Sequence, residues 1–192
     1  MCLRDGYKFI SVSRFGYLRS PIPLKASIKA QASFYAALLD RLKVRRIIVV
    51  GVSAGGPSAM QFANNYPDRC SALILLSAVS MAQAPGDKDP FNVSIIYLIQ
   101  QSDYVYWLFT KFMQSQIHDL MGIPHKVYND FTPEQKGLAQ EMLDIMHPMS
   151  QRYEGTLNDG KMIQRDGVST SKISAPTLII HAKVKRRAPH GN

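Results

Sequence analysis

Hydrophobic positions in the first half of the chain follow two patterns, a helical period and continuous apolar runs, which succeed one another along the sequence. Residues 25–44 carry an apolar side chain every three or four positions, which predicts a helix with one buried face. Residues 46–50 and 71–77 are continuous apolar runs rich in branched side chains, the pattern of parallel strands covered on both faces. A second helix is predicted at residues 54–65, where Pro67 follows and ends it. This order predicts a doubly wound parallel α/β arrangement.

The pattern becomes helical beyond residue 80. Residues 92–116 are predicted to be helical and are rich in tyrosine, tryptophan and phenylalanine. Further along, Thr132 and Gln135 have the spacing of a capping box, and Pro133 occupies the first helical position. These residues predict a helix that runs to about Met146.

Two more strand-like runs lie at residues 7–13 and 176–182. With the runs described above, they predict a partial doubly wound sheet of about four mainly parallel strands. We therefore expect residues 1–80 and 175–192 to form a partial α/β core, and residues 81–174 to form a helical insertion that acts as a cap or lid.

Composition indicates an ordinary globular protein. The 192 residues are 46% hydrophobic and 19% charged, which is enough for one domain with a core. Cys2 and Cys70 are far apart and have no metal-ligand spacing, so a reduced, cytoplasmic setting is expected. No signal peptide is recognisable, and residues 91–113 are too polar to form a transmembrane segment. An amphipathic helix that contacts a membrane or a lipid-like substrate stays open as an alternative.

The net charge of +9 raises the question of nucleic-acid binding. The positive residues are concentrated at residues 41–46 and 183–187, and no basic stripe with interleaved aromatic residues is present. We expect a solvated basic surface and no nucleic-acid partner. No cluster of Cys, His and carboxylates has ligand spacing, so we expect neither a metal nor a cofactor.

The most informative motif is Gly51-Val52-Ser53-Ala54-Gly55, which fits the pattern G-x-S-x-G between a predicted strand and a predicted helix. In such a tight turn the serine adopts a strained backbone and projects its hydroxyl at the carboxyl edge of the sheet. The N–H of Ala54 would then donate to a developing oxyanion. The alternatives are a Gly/Ser-rich turn without chemistry and a phosphate-binding turn, although the lysine and spacing of a P-loop are lacking. We predict Ser53 as the nucleophile.

With this motif, residues 47–80 resemble the elbow region of the α/β-hydrolase fold family, notably its esterase-like members. Residues 6–23 resemble the fourth strand and its following loop, with Leu18 where a second glycine is usual. Residues 176–182 resemble the seventh strand. A further resemblance is to the segment that closes the cap in related sequences, and it rests on Arg152, Gly155, Asn158 and Asp159. The resemblance covers about residues 5–182. It implies a carboxylic-ester hydrolase that forms an acyl-enzyme on Ser53 and takes a small apolar ester-like substrate. The sequence does not distinguish oligomeric states.

The acid and base of the triad stay unassigned. The resemblance implies a histidine after an eighth strand and an acid about three residues after His181, where the chain has Lys183, Val184, Lys185 and Arg186. The other histidines are His118, His125 and His147 in the insertion and His190 in the tail. Asp87 and Asp89 are expected in a solvated loop, and Asp159 is expected to have a structural role. We expect a product truncated at both ends. The alternative function is a catalytically incomplete fragment or a non-enzymatic remnant.

Overall fold

The structure, a computed structural model, describes residues 6–79 and 90–181, except for the side chains of residues 90–94. These residues form two compact units. Residues 23–79 and 159–181 form the first, which we call the sheet unit. Residues 6–22 and 90–158 form the second, which we call the helical unit.

The sheet unit contains three strands, β1 (Ile47–Val52), β2 (Cys70–Leu76) and β3 (Thr177–Ile180). They are parallel and lie in the order β1-β2-β3. Two helices accompany them, α1 (Ile28–Arg41) and α2 (Gly56–Asn65). This arrangement confirms the predicted α/β class. A helix that joins two strands returns the chain to the same end of the sheet, so the strands it connects are parallel.

One face of the sheet is closely packed and the other is open. Helix α2 packs on β1 and β2, and α1 packs on α2. Val49 and Leu73 point to that side and are almost fully buried, at 8% and 1% exposure. Their neighbours Ile48 and Val50 point to the opposite side and are 46% and 47% exposed. The prediction that these strands are covered on both faces is therefore wrong for the part of the chain that the structure describes.

Residues 7–13, predicted to be a strand, form no regular structure, and Tyr7 and Phe9 are 67% and 64% exposed. A run with high β propensity becomes a strand only when a neighbouring strand accepts its N–H and C=O groups, and none of the described strands does so. The sheet consequently has three strands in the described residues, one fewer than predicted. Leu18, at the position where a glycine is usual, adopts φ +55°, a left-handed backbone that favours glycine.

The helical unit is built from short helices. They are α3 (Pro90–Gln100), α4 (Asp103–Phe112), α5 (Gln114–Leu120), α6 (His125–Asn129), α7 (Pro133–Asp144) and the beginning of α8 (Tyr153–Arg165), which continues into the sheet unit. The predicted helical stretch at residues 92–116 is divided by a break before Asp103 and another before Gln114. At the first break, Ser102 is the N-cap of α4, and its hydroxyl oxygen accepts from the N–H of Val105 at 3.5 Å.

The core of the helical unit is formed by Ile99, Tyr106, Ile117, Leu143 and Met149. The hydroxyl of Tyr106 donates to the carbonyl of Leu143 at 2.7 Å, so a buried polar group is satisfied inside this core. The predicted capping box of α7 is confirmed, since the Thr132 hydroxyl accepts from the N–H of Gln135 and the Gln135 side chain accepts from the N–H of Thr132.

Candidate functional site

The G-x-S-x-G motif forms a sharp turn from strand to helix. Strand β1 ends at Val52, Ser53–Gly55 form a single 3-10 turn, and α2 begins at Gly56. Ser53 has φ +48°, in the left-handed region that costs a residue with a side chain roughly 1–2 kcal/mol. The carbonyl of Ser53 accepts from the N–H of Val79 at 2.9 Å. That bond ties the strained residue to the segment after β2 and helps to hold it.

Close packing around the turn explains two of its glycines. A Cβ on Gly51 would lie 2.8 Å from the Cβ of Ala59, and one on Gly56 would lie 2.7 Å from both the Cβ of Ala78 and the carbonyl oxygen of Val79. A side chain at Gly51 would push β1 and α2 apart, and one at Gly56 would push α2 away from the segment after β2. The two glycines therefore set how closely α2 approaches the end of β1 and the segment after β2, and with it the position of Ser53.

A chain of hydroxyl groups links helix α1 to the same turn. The hydroxyl groups of Tyr35 and Ser58 are 3.2 Å apart, and Ser58 donates to the carbonyl of Gly55 at 3.1 Å. Ser58 is buried, at 5% exposure, so these bonds lie away from solvent. They fix the beginning of α2 relative to α1.

The candidate nucleophile is accessible. The Ser53 side chain is exposed, and no described residue hydrogen-bonds its hydroxyl. Ala54, the candidate oxyanion donor, is half-buried in the first turn after β1, where the N–H groups of a helix have no acceptor of their own. Among residues 6–79 and 90–181, the Ser53 hydroxyl is therefore left without a hydrogen-bond partner.

The carboxyl ends of the three strands are aligned. Val52 pairs with Leu76 and Leu76 with Ile180, so Ser53, Ser77 and His181 follow the strand ends as a row. Ser77 also has a left-handed backbone, at φ +43°, and its N–H donates to the carbonyl of Ile180 at 2.8 Å.

Sequence reasoning missed Ser77. The sequence signal for Ser77 is its position directly after the apolar run that forms β2, the strand next to the one that ends before Ser53. His181, predicted to lie within a strand, instead follows β3 and is two strand spacings from Ser53, about 10 Å between backbones.

The described histidines of the helical unit have local contacts. The ring of His118 stacks on Tyr128 with centroids 4.3 Å apart, and burial lowers the pKa of His118. His125 lies 3.2 Å from the side-chain nitrogen of Asn129, and His147 packs edge-on against Tyr106 at 4.7 Å. These contacts agree with structural roles for the three residues.

Of the remaining acid and base candidates, one is buried and the others lie outside the residues that the structure describes. Asp159 lies on α8 at 4% exposure. Asp87, Asp89, His190 and the basic residues from Lys183 to Arg187 lie outside the described residues. Within residues 6–79 and 90–181, no group of three His, Cys, Asp or Glu side chains could hold a metal ion. No helix in the same ranges is long and apolar enough to cross a membrane.

Comparison with known proteins gives a consistent picture. A family model described as the alpha/beta hydrolase fold matches residues 2–184. An uncharacterized hydrolase of Bacillus subtilis, YcgS, is 41% identical over 78 residues, which is 41% of this chain and 28% of that protein. A 2-hydroxy-6-oxononadienedioate/2-hydroxy-6-oxononatrienedioate hydrolase of Paraburkholderia xenovorans is 26% identical over 190 residues, covering 96% of this chain and 62% of that protein.

Solved structures give the same fold. An alpha/beta hydrolase fold protein from Nakamurella multipartita superposes with a TM-score of 0.56 at 24% identity, covering 86% of this chain and 61% of that one. A hydrolase from Pseudomonas aeruginosa gives a TM-score of 0.58 at 18% identity, covering 88% and 58%. The chain thus spans less than two thirds of the length of each of these proteins.

Proposed function

Because the chain belongs to the α/β-hydrolase fold family, we propose that it is a serine hydrolase that acts on carboxylic esters through Ser53. The observation that carries the proposal is the left-handed backbone of Ser53 at the junction of β1 and α2, with an exposed side chain. A strained serine held at this junction is the arrangement of a nucleophile elbow.

In the proposed reaction the Ser53 oxygen attacks the acyl carbon of the ester, and the hydroxyl proton passes to a base. The carbonyl oxygen becomes an oxyanion that accepts from the N–H of Ala54. The tetrahedral intermediate then collapses, the alcohol leaves with a proton, and the acyl group stays on Ser53. Water hydrolyses this acyl-enzyme and regenerates the serine. The acid and base are not assigned to residues of this chain.

We propose a small apolar ester as the substrate, with residues 81–174 acting as the lid over residues 1–80 and 175–192. Aromatic and methionine side chains in the helical unit, such as Trp107 and Met113, are exposed at 43% and 38% and suit an apolar acyl group. The two relatives described above are both named hydrolases, which supports hydrolysis as the reaction class. We propose that the reaction needs no cofactor or metal.

We place the activity in the cytoplasm. Cys70 is a free cysteine, and burial raises the pKa of its thiol above the ordinary value. A buried, protonated thiol without a disulfide partner is compatible with a reducing compartment.

The test is covalent labelling with a fluorophosphonate probe, read by intact-mass spectrometry on folded protein. We expect slow labelling of one serine, because no described base contacts the Ser53 hydroxyl. Ser53→Ala should abolish labelling. Ser77→Ala is the matched control, since Ser77 is also exposed, also left-handed and one strand away, and it should label like the wild type.

A second candidate function, a catalytically incomplete fragment or non-enzymatic remnant, is favoured by the lack of a described acid or base beside Ser53. It predicts no labelling of folded protein. Labelling that persists in Ser53→Ala would contradict the choice of nucleophile instead.

A further inference from the structure

The solvent side of helix α4 carries large aromatic side chains. Tyr104, Trp107, Leu108, Lys111 and Phe112 stand at positions i, i+3, i+4, i+7 and i+8, which lie on one face of a helix. Tyr104, Trp107 and Phe112 are 66%, 43% and 77% exposed. The rings of Tyr104 and Trp107 stack with their centroids 5.9 Å apart. We call these five residues the aromatic face.

The opposite side of α4 attaches the helix to its own unit. Tyr106 is buried in the core of the helical unit, and Phe109 packs against the same core. The aromatic face is not part of that core. Isolated exposed apolar residues are ordinary, whereas contiguous exposed patches mark sites where a protein meets another protein or a membrane. The neighbouring rings of the aromatic face form such a patch.

The charge on this face favours an anionic partner. Of its five residues, only Lys111 is charged. The acidic residue of α4 is Asp103, and its carboxylate accepts from the N–H of Ser150 at 2.8 Å and from the Ser150 hydroxyl at 2.9 Å. The chain as a whole carries a net charge of +9, which attracts negatively charged surfaces.

The residue types favour a lipid surface over a second copy of the chain. Two copies would each bring a net charge of +9, and this repulsion opposes pairing through the same face. At a membrane surface, tryptophan and tyrosine place the apolar ring among the acyl chains and the polar tip among the headgroups. A lysine beside them lays its apolar stem along the acyl region while its ammonium group reaches the headgroup phosphates.

We propose that the aromatic face of α4 docks on an anionic lipid surface, with Trp107 and Phe112 in contact with acyl chains and Lys111 at the headgroup phosphates. An acyl chain is also what an apolar ester presents, so this role of Trp107 is compatible with a lid formed by residues 81–174. The docking does not use Ser53, and it is therefore independent of the ester hydrolysis proposed above.

The test uses the single tryptophan of the chain, Trp107, whose fluorescence reports directly on the aromatic face. The full chain is mixed with vesicles of phosphatidylcholine alone or of phosphatidylcholine and phosphatidylglycerol in equal parts, and binding is measured by sedimentation. We expect tighter binding to the anionic vesicles, with emission shifted to shorter wavelength and quenched by lipids that carry bromine on their acyl chains. High salt should reduce the difference between the two kinds of vesicle.

Variants assign the contact to this face. Phe112→Ser should weaken binding to anionic vesicles about tenfold, because a ring that the lipid covers is lost. Tyr104→Ser serves the same purpose where Phe112→Ser does not fold by circular dichroism. Lys111→Gln should weaken binding to anionic vesicles about fivefold and leave binding to phosphatidylcholine unchanged. Phe34→Ser on α1 and Val50→Ser on the open face of the sheet are the controls, since both residues are about half exposed in the sheet unit, and both variants should bind like the wild type.

Ser53→Ala should bind vesicles like the wild type, so failure of the hydrolase proposal leaves this result unaffected. The docking proposal is overturned if folded wild type does not bind anionic vesicles, or if it binds without a change in Trp107 emission. It is also overturned if folded Phe112→Ser binds like the wild type, or if a control variant loses as much. An emission shift that grows with protein concentration in the absence of lipid would assign the face to a second copy of the chain and overturn the lipid partner.

Discussion

The sheet unit and the helical unit are each stabilised internally by a different kind of packing. In the sheet unit the decisive contacts depend on side chains that are absent: Gly51 lets α2 approach the end of β1, and Gly56 lets α2 approach the segment after β2. In the helical unit they depend on large side chains that are present, Tyr106 and Leu143, at 2% and 0% exposure. The first arrangement holds a strained residue rigidly at an exposed edge. The second fills the space between short helices with large side chains. Placing a reactive atom and building a helical core thus require different kinds of packing.

Truncating Leu143 should give the largest loss of stability. Leu143→Ala removes a fully buried side chain from the core of the helical unit, and we expect the free energy of unfolding to fall by about 3 kcal/mol. Urea denaturation followed by circular dichroism measures this. Leu138→Ala on the same helix is the control, because Leu138 is 56% exposed and its loss should change stability by no more than about 0.5 kcal/mol. Equal effects of the two variants would mean that side-chain volume does not hold this unit.

Adding a side chain at Gly56 should have the next largest effect. Gly56→Ala places a Cβ 2.7 Å from the carbonyl oxygen of Val79, whose N–H holds the carbonyl of Ser53. We expect a loss of about 2 kcal/mol and slower probe labelling of Ser53, since the turn must open. If the variant keeps wild-type stability and labelling, close backbone approach does not position the serine.

The two units should also differ in their response to acid. Burial lowers the pKa of His118, so the unfolded chain binds the proton more readily. Its contribution to stability is therefore present above about pH 6.5 and is lost as the pH falls below that value. Denaturation at about pH 7.5 and about pH 5 measures the loss. His118→Phe keeps a ring to stack on Tyr128 and should remove this part of the pH dependence.

The corresponding group of the sheet unit is Asp166. Its carboxylate pairs with Arg165 and accepts from the N–H of Ile28 at 2.9 Å, and the Arg165 hydrogen bond lowers its pKa. Its contribution is present above about pH 4 and is lost only as the pH falls further. Asp166→Asn should therefore leave the change between about pH 7.5 and about pH 5 as in wild type. If Asp166→Asn and His118→Phe reduced this pH-dependent change in stability equally, the two units would not differ in their response to acid.

The smallest expected effect is a gain. Gly137 lies on α7 and is exposed, and a Cβ added there would meet no other atom within 4 Å, unlike one at Gly56. Gly137→Ala should raise the unfolding free energy by up to about 1 kcal/mol, because alanine loses less backbone freedom on folding. A thermal melt measures it. A loss instead of a gain would show that glycine is required in the helical unit as well.

Local features of the sequence predicted most of what places Ser53. The motif, the branched run before it and the helix after it are encoded within residues 46–65, and each is formed. The capping box at Thr132 is equally local and was predicted for the same reason. Contacts between residues far apart in sequence were not predictable in this way. Residues 7–13 have the composition of a strand but no partner strand among the described residues.

The same limit explains what sequence reasoning missed in the site. The left-handed backbone of Ser77 depends on β1 and β3 on either side of it. The apolar pocket lined by Ile99, Tyr106, Ile117 and Met149 depends on α3, α4, α5 and the segment after α7 meeting, and no spacing along the chain records a space between side chains.

The open face of the sheet has a consequence for the chain inside a cell. Ile48, Val50 and Val52 on β1, with Leu178 and Ile180 on β3, present a patch of branched side chains that are each about half exposed. Surfaces of this kind are what chaperones and proteases survey when they sort polypeptides for rescue or destruction. We therefore expect the lifetime of the protein, and so the amount of it available for any chemistry, to be shorter for as long as this patch stays accessible to them.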